Sequence, residues 1–364
     1  MFPVNSSAIE SMINNIDPVK YSKTRNFIDG AVTKLSPYIS RGFLTLPQIK
    51  QAILSKGYKP YQVDKFLQEL AWREYFQRVW EAKGNEIFSE LKQPQQNYSH
   101  QEMPTAIIKA QTGIEAIDTE IRKLYETGYM HNHSRMYVAG ITCNLAKAHW
   151  LQPSRWMYYH LLDGDLASNS CSWQWVAGSF SSKKYIANQE NVNYYLKSKQ
   201  QHTFLDHSYE TILKQEIPEV LKSKSLPLLN TALPKTDQEF QIANNLPVAV
   251  YTSYWLNPHW RSNENLNRVL LLEPSHFNKY PVSEKVISII LSLAKENIPG
   301  LRIFTGEFEE LKKQINPDQP VYFLNHPLHQ HFSGMADPYP WMFPDVKGFH
   351  PSFFAFWKKA QKYL

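Results

Sequence analysis

The pattern of apolar and polar positions changes character near residue 246. Before residue 222, apolar residues recur at helical spacing, most clearly in 66–76, where they follow an i, i+3, i+4 stripe. After residue 246, aliphatic and β-branched runs bounded by polar turns predict strands at 248–252, 268–272, 301–304 and 321–324.

An amphipathic helix capped by Ser283 is predicted over 283–297, between the second and third of these strands. Alternating strands and helices are typical of a parallel sheet. We therefore predict three parts: a helical domain at 1–222, a linker at 223–246, and a small α/β domain at 247–364.

Two polar clusters stand out within the helical part. Residues 128–136 read Gly-Tyr-Met-His-Asn-His-Ser-Arg-Met, and residues 163–175 read Asp-Gly-Asp-Leu-Ala-Ser-Asn-Ser-Cys-Ser-Trp-Gln-Trp. The apolar helical runs between them favour an antiparallel helix pair, which would let the clusters face each other across a pocket. Their carboxylates, amides and guanidinium are costly to bury without partners, and a buried polar ligand would supply those partners. A metal loop or a simple helix cap is the alternative for the Asp-Gly-Asp turn taken alone.

An earlier segment has the features of an anion site. Residues 33–37 read Thr-Lys-Leu-Ser-Pro and open an apolar-periodic helix, which Thr33 or Ser36 can cap. Hydroxyls, an ammonium group and exposed backbone amides at a helix N-terminus suit a diphosphate. A purely structural Ser-Pro helix start is the alternative. A polar helix over 21–30, ended by Gly30, is predicted directly before it.

The stripe in 66–76 carries three residues that a buried helix does not need: Glu69, Trp72 and Arg73. One interpretation is a surface pair between Glu69 and Arg73, at i, i+4, beside a core Trp72. The other is a functional cluster at the mouth of a pocket. The same spacing predicts a structural pair between Asp118 and Arg122.

Composition narrows the class of protein. The 364 residues carry 39 Lys and Arg against 33 Asp and Glu, and the resulting net charge of +6 suits a partner with phosphates. The 2 cysteines cannot form a disulfide framework, and a cubane iron–sulfur cluster needs four thiolates. There is neither a signal-like N-terminus nor an apolar run of about 18 residues. We expect a cytoplasmic monomer with no metal and no membrane partner.

The two clusters and the 66–76 stripe resemble the flavin-binding core of the DNA photolyase/cryptochrome family, in one register over roughly the first two hundred residues. The resemblance implies a mainly α-helical, photolyase-like FAD-binding domain, here followed by the small α/β (parallel-sheet) domain. It also implies non-covalent FAD, blue-light dependence and damaged DNA, double- or single-stranded, as the partner. Family members normally carry an α/β antenna domain before the flavin domain. We expect this chain to lack it, and the antenna pigment stays open.

The resemblance assigns roles to individual residues. FAD contacts are implied for Tyr21, Thr33, Lys34, Leu35, Ser36, Arg73, Asn132, Arg135, Asp163, Asp165 and Asn169. Contact with the lesion or with the reacting flavin, and hence catalysis, is implied for Glu69, Trp72, Trp175 and Asn169, the last opposite flavin N5. Electron transfer from the surface is implied for Trp173 and Trp150, and phosphate contacts for Lys183 and Lys184.

Departures from the family pattern bear on function. Lys34 stands where the family has Arg, and Tyr129 stands where it has Trp. No Trp occupies the outermost position of the electron path, where Tyr98 is the candidate. The polar run 183–193 replaces the family's usual continuation and predicts a hydrogen-bonded loop. It leaves the lesion, a cyclobutane dimer or a 6-4 product, undecided.

Three functions follow from the resemblance. The first is a DNA photolyase, a carbon–carbon lyase in which light drives an electron from reduced FAD to a pyrimidine dimer. The second is a cryptochrome-like blue-light photoreceptor that binds FAD without repair, and the third is a flavin-binding relic that serves as an interaction module. Asn169, Glu69, Trp72 and Trp175 favour repair, whereas the missing outer Trp and the 183–193 run favour the photoreceptor.

Overall fold

The computed structural model describes residues 2–364 of the chain. In chain order its α-helices are α1 Ser6–Asn14, α2 Pro18–Thr24, α3 Ser36–Ser40, α4 Leu46–Leu54, α5 Pro60–Lys83, α6 Thr105–Ile108, α7 Glu115–Thr127, α8 Asn132–Gly140, α9 Leu151–His160, α10 Leu166–Ala177, α11 Gln189–Leu196, α12 Tyr209–Lys214, α13 Pro274–Lys279, α14 Glu284–Asn297, α15 Phe308–Lys312 and α16 Phe353–Ala360. Short 3-10 helices lie at Gly84–Phe88, Glu219–Leu221, Pro327–His329 and Gln361–Tyr363, and a π-helix at Ile141–Leu145 continues α8.

Within residues 2–364, the strands form two sheets. A small antiparallel pair joins β1 (Met103–Pro104) to β2 (Lys224–Ser225). The larger sheet is parallel throughout and consists, in chain order, of β3 Val248–Tyr251, β4 Asn267–Leu272, β5 Arg302–Thr305, β6 Val321–Leu324 and β7 Met335–Asp337. Its spatial order is β5-β4-β3-β6-β7. The four predicted strands and the parallel sheet are confirmed. Strand β7 was not predicted, because its three residues lack an apolar run.

Internal contacts divide the chain into two compact units. The sheet unit comprises the residues up to Ile16, 33–75 and 229–364, and the helical unit comprises 17–32 and 76–228. The predicted domain boundaries at 222 and 247 stay a prediction. The two units have other boundaries, because 33–75 groups with the sheet although residues 76–228 lie between them in the chain.

The sheet unit has an apolar core against the strands. Strand β3 is buried at every position, as the near-continuous apolar run of a parallel strand covered on both faces requires. On one face of the sheet, Val248, Val250, Val269 and Leu271 pack with Phe304 and Phe308. A close approach fixes residues 41–43 against the chain just beyond β3. Gly42 has a φ of +59°, and a Cβ there would lie 2.4 Å from the carbonyl oxygen of Tyr254.

The C-terminal segment of the sheet unit is held by a carboxylate on α5. Glu74 is fully buried and accepts hydrogen bonds from the backbone N–H groups of Met342 and of Phe343, the latter at 3.2 Å. The Tyr75 hydroxyl next to it donates to the carbonyl of His350 at 3.3 Å. These bonds tie residues 342–350 to α5.

The helical unit is built around α7 to α10. Their inward side chains, including Ile117, Ile121, Trp156 and Trp173, form one buried cluster. Helix α7 ends at Gly128, which has a φ of 71° and a backbone N–H that bonds the carbonyl of Leu124. A Cβ at this glycine would meet the Leu162 side chain at 2.6 Å. Only glycine therefore lets these two segments of the chain approach this closely.

The predicted polar helix 21–30 is wrong at its C-terminal end. Helix α2 stops at Thr24, with Arg25 as its C-cap. Gly30 does not cap the helix; it packs back onto Thr24, where a Cβ would lie 1.9 Å from the carbonyl oxygen. The Thr24 hydroxyl also accepts from the N–H of Ala31 at 3.0 Å. The glycine therefore serves a chain reversal after the helix.

The predicted cap of α3 is wrong, whereas that of α14 is confirmed in position but not in its side-chain hydrogen bond. Helix α3 begins at Ser36 with Leu35 as N-cap and no side-chain cap, while Thr33 Oγ1 accepts from the Leu35 N–H at 3.4 Å. Ser283 does occupy the N-cap position of α14, but its side chain makes no capping bond. Pro37 lies in the first turn of α3 as predicted.

The predicted pair between Asp118 and Arg122 does not form. Asp118 accepts from the backbone N–H and the hydroxyl of Thr112, both at 2.8 Å, and from the N–H of Gly113. Arg122 donates instead to the Ala110 carbonyl at 3.3 Å. Backbone donors in the preceding turn therefore take the carboxylate that the i, i+4 spacing offered to arginine.

The predicted loop 183–193 is helical at its end. Asn188 caps α11 by accepting from the N–H of Asn191 at 3.0 Å. The polar run thus supplies a helix cap as well as a loop.

Among residues 2–364, no helix is both long enough and apolar enough to cross a membrane.

We predict that Glu74→Ala lowers the free energy of unfolding by about 2–4 kcal/mol, because it leaves two buried N–H groups without an acceptor. Glu74→Gln, which keeps one acceptor, should lose less. Glu284→Ala, at an exposed position of α14, is the matched control and should change stability little. Denaturant unfolding of the three variants checks the order, and equal losses in all three would contradict it.

Candidate functional site

The two polar clusters meet in the helical unit as predicted. The Leu162 N–H donates to the Gly128 carbonyl at 2.8 Å, which joins the end of α7 to the turn between α9 and α10. Beside this contact, Arg135 Nη2 lies 3.0 and 2.9 Å from the two carboxylate oxygens of Asp163. Arg135 Nε donates to the Met130 carbonyl at 2.9 Å. The guanidinium is therefore fixed by both clusters.

Burial sets the electrostatics around this pair. Asp163 is 7% exposed, so the guanidinium of Arg135 supplies its compensating charge in a poorly solvated position. The Tyr129 ring lies 5.6 Å from the Arg135 guanidinium carbon. Burial raises the pKa of the Tyr129 hydroxyl to about 12, so the phenol stays protonated near neutral pH.

Asp165 holds the start of α10. Its Oδ1 accepts from the Ser168 N–H at 2.7 Å as a helix N-cap, and its Oδ2 accepts from Gln77 Nε2 at 2.6 Å. Gln77 Oε1 and Ser168 Oγ are buried, and neither has a hydrogen-bond partner among residues 2–364. Such atoms are costly unless something else satisfies them.

Asn169 joins α10 to α9. Its Nδ2 donates to the Ser154 carbonyl at 2.8 Å, which fixes the orientation of the side-chain amide. The oxygen Oδ1 therefore points away from that carbonyl and remains an acceptor. This position was predicted for the site, but its partner on α9 was not.

His131 was not assigned a role from the sequence, although it lies in the first cluster. Its Nδ1 accepts from the His133 N–H and so caps α8, while its Nε2 is buried without a partner within residues 2–364. Burial lowers the pKa of His131 to about 4, and the ring is neutral near pH 7. Gln77 was also missed. It follows Arg73 by four residues on α5, and that spacing was the available signal.

The segment 33–36 and Arg73 belong to the sheet unit. Lys34 adopts a φ of 55°, and Arg73 Nη2 donates to the Ser40 hydroxyl at 2.6 Å, so α5 is bound to the last residue of α3. Glu69 pairs with Lys65 at 3.1 Å, one turn earlier on α5.

The two tryptophans predicted to contact the lesion differ in their surroundings. Trp72 stacks face to face on Phe353 of α16, with ring centroids 3.7 Å apart and planes at 9°. Trp175 is 37% exposed, and its ring centroid lies 6.0 Å from that of Tyr185. A ring face of Trp72 is thus covered from within the sheet unit.

The candidate electron path lies in the helical unit. Trp150 and Trp173 are buried, and Tyr98 is 44% exposed. The rings of Tyr98 and His149 are 4.9 Å apart, and those of His149 and Trp150 are 5.8 Å apart. His149 is held by Glu90 at 2.7 Å. The structure therefore connects Tyr98 to Trp150 through an intervening imidazole, which the sequence did not predict.

The remaining predicted site residues differ in their exposure to solvent. Lys183 is exposed, whereas Lys184 donates from Nζ to the Gln96 carbonyl at 2.6 Å, and burial lowers the pKa of its ammonium group. Tyr21 is half-buried in α2, and Asn132 is exposed at the start of α8. Among residues 2–364, no group of three His, Cys, Asp or Glu is arranged to hold a metal ion.

Comparison with known proteins identifies similar chains. Residues 66–245 match the family described as FAD binding domain of DNA photolyase. The deoxyribodipyrimidine photo-lyase of Alkalihalophilus pseudofirmus is 33% identical over 164 residues, which cover 43% of this chain and 34% of that protein. The cryptochrome DASH of Synechocystis sp. is 31% identical over 168 residues, with shares of 43% and 34%.

A crystal structure of a Synechocystis sp. cryptochrome aligns with a TM-score of 0.48 and 25% identity, covering 53% of this chain and 44% of that one. The chain spans about a third of the length of the curated relatives it matches.

We predict that Asn169→Asp destabilises the protein by about 1–3 kcal/mol at neutral pH, because an ionised carboxylate would face the Ser154 carbonyl and donate nothing to it. Asn188→Asp is the matched control, since Asn188 only accepts in its cap and a carboxylate accepts as well.

The penalty should depend on pH. An acid at 169 is expected to have a folded-state pKa above its unfolded value, because only the protonated form can donate to the carbonyl. The gap to wild type should therefore be present at neutral pH and shrink as pH falls below the raised pKa. Unfolding curves at pH 7 and 5 check this. A loss no larger than in the Asn188 variant would contradict the assigned hydrogen bond.

Proposed function

Because residues 66–245 of this chain are an FAD-binding domain of the DNA photolyase/cryptochrome family, we propose that the chain is a light-driven DNA repair flavoprotein. It splits pyrimidine dimers by electron transfer from reduced FAD, and its partner is damaged DNA. The observation that carries the proposal is the fixed amide of Asn169, whose oxygen is left as an acceptor. By resemblance, this residue faces the reacting flavin nitrogen.

Non-covalent FAD fits the residues of the helical unit. Several buried polar atoms of the helical unit lack partners within residues 2–364, among them Gln77 Oε1, Ser168 Oγ and His131 Nε2. Gln77 Oε1 is an acceptor, the Ser168 hydroxyl can donate or accept, and His131 Nε2 is a donor because its Nδ1 accepts a backbone N–H. This combination suits a polar heterocycle and a ribityl chain. The pair of Arg135 and Asp163 supplies the charges that the family uses beside the flavin ring.

Other residues complete the cofactor site by resemblance. Tyr21, Thr33, Lys34, Leu35, Ser36, Arg73 and Asn132 would contact the phosphates and the adenosine part. FAD, once bound, supplies light absorption and one-electron donation. The chain has 2 cysteines, so an iron–sulfur cubane with four thiolate ligands has no place in this proposal.

The chemistry of this chain's own side chains favours a reduced cofactor. One of the two Nδ2 hydrogens of Asn169 is bound to the Ser154 carbonyl, so Oδ1 is the group of this amide that is turned away from that carbonyl. A carbonyl oxygen accepts, so it stabilises a protonated ring nitrogen and disfavours a bare one. Such a nitrogen is present in reduced flavin. An Asp at the same position would have no amide donor for Ser154.

Recognition of a lesion requires an extruded base and a surface on which it stacks. By resemblance, we assign the lesion contacts to Glu69, Trp72 and Trp175. Trp175 supports this assignment because its ring is 37% exposed. Lys183 is exposed and free to meet phosphates, whereas Lys184 is partly engaged by the Gln96 carbonyl.

A second function is favoured by specific observations. Phe353 covers a face of Trp72, and the outermost member of the electron path is Tyr98, with no Trp in that place. A cryptochrome-like photoreceptor would need FAD and the electron path through Trp173 and Trp150, but no open lesion-binding surface. The two functions differ in whether DNA damage is recognised and removed.

Binding and turnover decide between them. We predict that the FAD-loaded wild type prefers dimer-containing over intact oligonucleotides, and that Trp175→Ala weakens binding of the damaged strand roughly tenfold to a hundredfold, since stacking contributes about 1–3 kcal/mol per base. Intact DNA, bound mainly through phosphates, should lose little affinity from this change and much from added salt. Blue light on the prereduced protein should then remove the dimer.

Tyr209→Ala is the matched control, because Tyr209 is an exposed aromatic of the same unit, 47% accessible. It should leave damaged-strand binding unchanged. If the wild type shows neither a preference for damaged DNA nor loss of the dimer under light, repair is wrong and the photoreceptor takes its place.

A further inference from the structure

The last helix of the sheet unit has two sharply different faces. In α16, Phe353, Phe356, Trp357 and Ala360 are buried, and Phe353 is the residue that stacks on Trp72. Phe354 and Lys358 on α16 and Lys362 in the 3-10 helix that follows it are all exposed, and these three residues are called the outer face of α16 below.

Phe354 lies beside a residue already assigned to base recognition. It is 68% exposed, and its ring centroid is 6.4 Å from that of Trp72, with the planes at 78°. Since Phe353 covers a face of Trp72, Phe354 is the neighbouring ring that solvent reaches. A stacking surface at this point of the sheet unit therefore includes Phe354.

The C-terminal segment that carries this ring is basic in sequence. Residues 341–364 contain four Lys and one Asp, and no Glu or Arg. Lys358, Lys359 and Lys362 are exposed, and none forms an ion pair with another residue of 2–364. An exposed aromatic ring flanked by unpaired ammonium groups is the combination that binds single-stranded nucleic acid, through base stacking and phosphate contacts.

We propose that the outer face of α16 is a nucleic-acid contact surface, in which Phe354 stacks on an unstacked base and Lys358 and Lys362 contact the adjacent phosphates. A membrane surface fits less well, because this face offers a single large apolar side chain. The inference rests on the proposed function for its partner, damaged DNA, and adds a contact outside the residues that match the family. It makes the C-terminal segment part of substrate binding.

The test uses the full FAD-loaded chain in the dark, with fluorescently labelled single-stranded oligonucleotides that are intact or contain a pyrimidine dimer. Phe354→Leu keeps an apolar side chain but removes the ring, and it should weaken binding about tenfold. Phe354→Trp should restore affinity to the wild-type level or better.

Charge is tested separately. The double variant Lys358→Ala/Lys362→Ala should weaken binding of both oligonucleotides and lower the slope of log affinity against log salt by about 1.4, since each phosphate contact on a single strand contributes about 0.7. Lys285→Ala/Lys313→Ala, at exposed positions on α14 and after α15, is the matched control and should change neither quantity.

The outcomes separate this inference from the proposed function. If the wild type recognises and repairs the dimer but the Phe354 and Lys358/Lys362 variants bind as it does, the inference is wrong and the function stands. If those variants lose affinity although no damage preference or repair exists, the inference stands and the function fails. Absence of binding by the wild type would overturn both. Tighter binding by Phe354→Leu would also overturn the inference, because the ring would then obstruct the strand.

Discussion

The ion pair between Arg135 and Asp163 is the interaction on which the candidate site depends. Asp163 is 7% exposed, and Arg135 reaches it while also bonding the Met130 carbonyl. A buried pair of this kind adds little net stability, but losing one partner leaves an uncompensated charge in a poorly solvated position. The ion pair therefore contributes mainly by fixing the positions of the residues around it. It fixes the end of one polar cluster against the start of the other, and the contact at Gly128 makes that approach sterically possible.

The rest of the candidate site depends on how α10 is anchored. Asp165 caps the helix and binds Gln77, and Asn169 is tied to α9 one turn later. Each of these hydrogen bonds uses one polar atom of a side chain. Other polar atoms of the same cluster remain available as donors or acceptors. The same residues can thus cap a helix and still hydrogen-bond a ligand, because amides and carboxylates have more hydrogen-bonding positions than a cap consumes.

The sequence predicted the local elements well. Aliphatic runs identify β3 to β6. The apolar helical runs between the two polar clusters predict that the clusters meet. It failed where a contact joins residues distant in the chain. Nothing in the 66–76 stripe shows that Phe353 stacks on Trp72 or that Glu74 holds Met342, since such pairings depend on tertiary packing. The i, i+4 rule misled at Asp118, because nearby backbone N–H groups compete successfully with an arginine side chain.

The most direct test of this account is the flavin content of purified protein, measured by absorbance of the flavin released on denaturation. We predict non-covalent FAD near one per chain in the wild type and in Asp206→Ala, an exposed control. Asp163→Ala should lose nearly all of it, because unpairing Arg135 costs about 3–5 kcal/mol. A wild-type protein that is colourless and cannot be reconstituted with FAD, or a folded Asp163→Ala protein that retains it fully, would contradict the account.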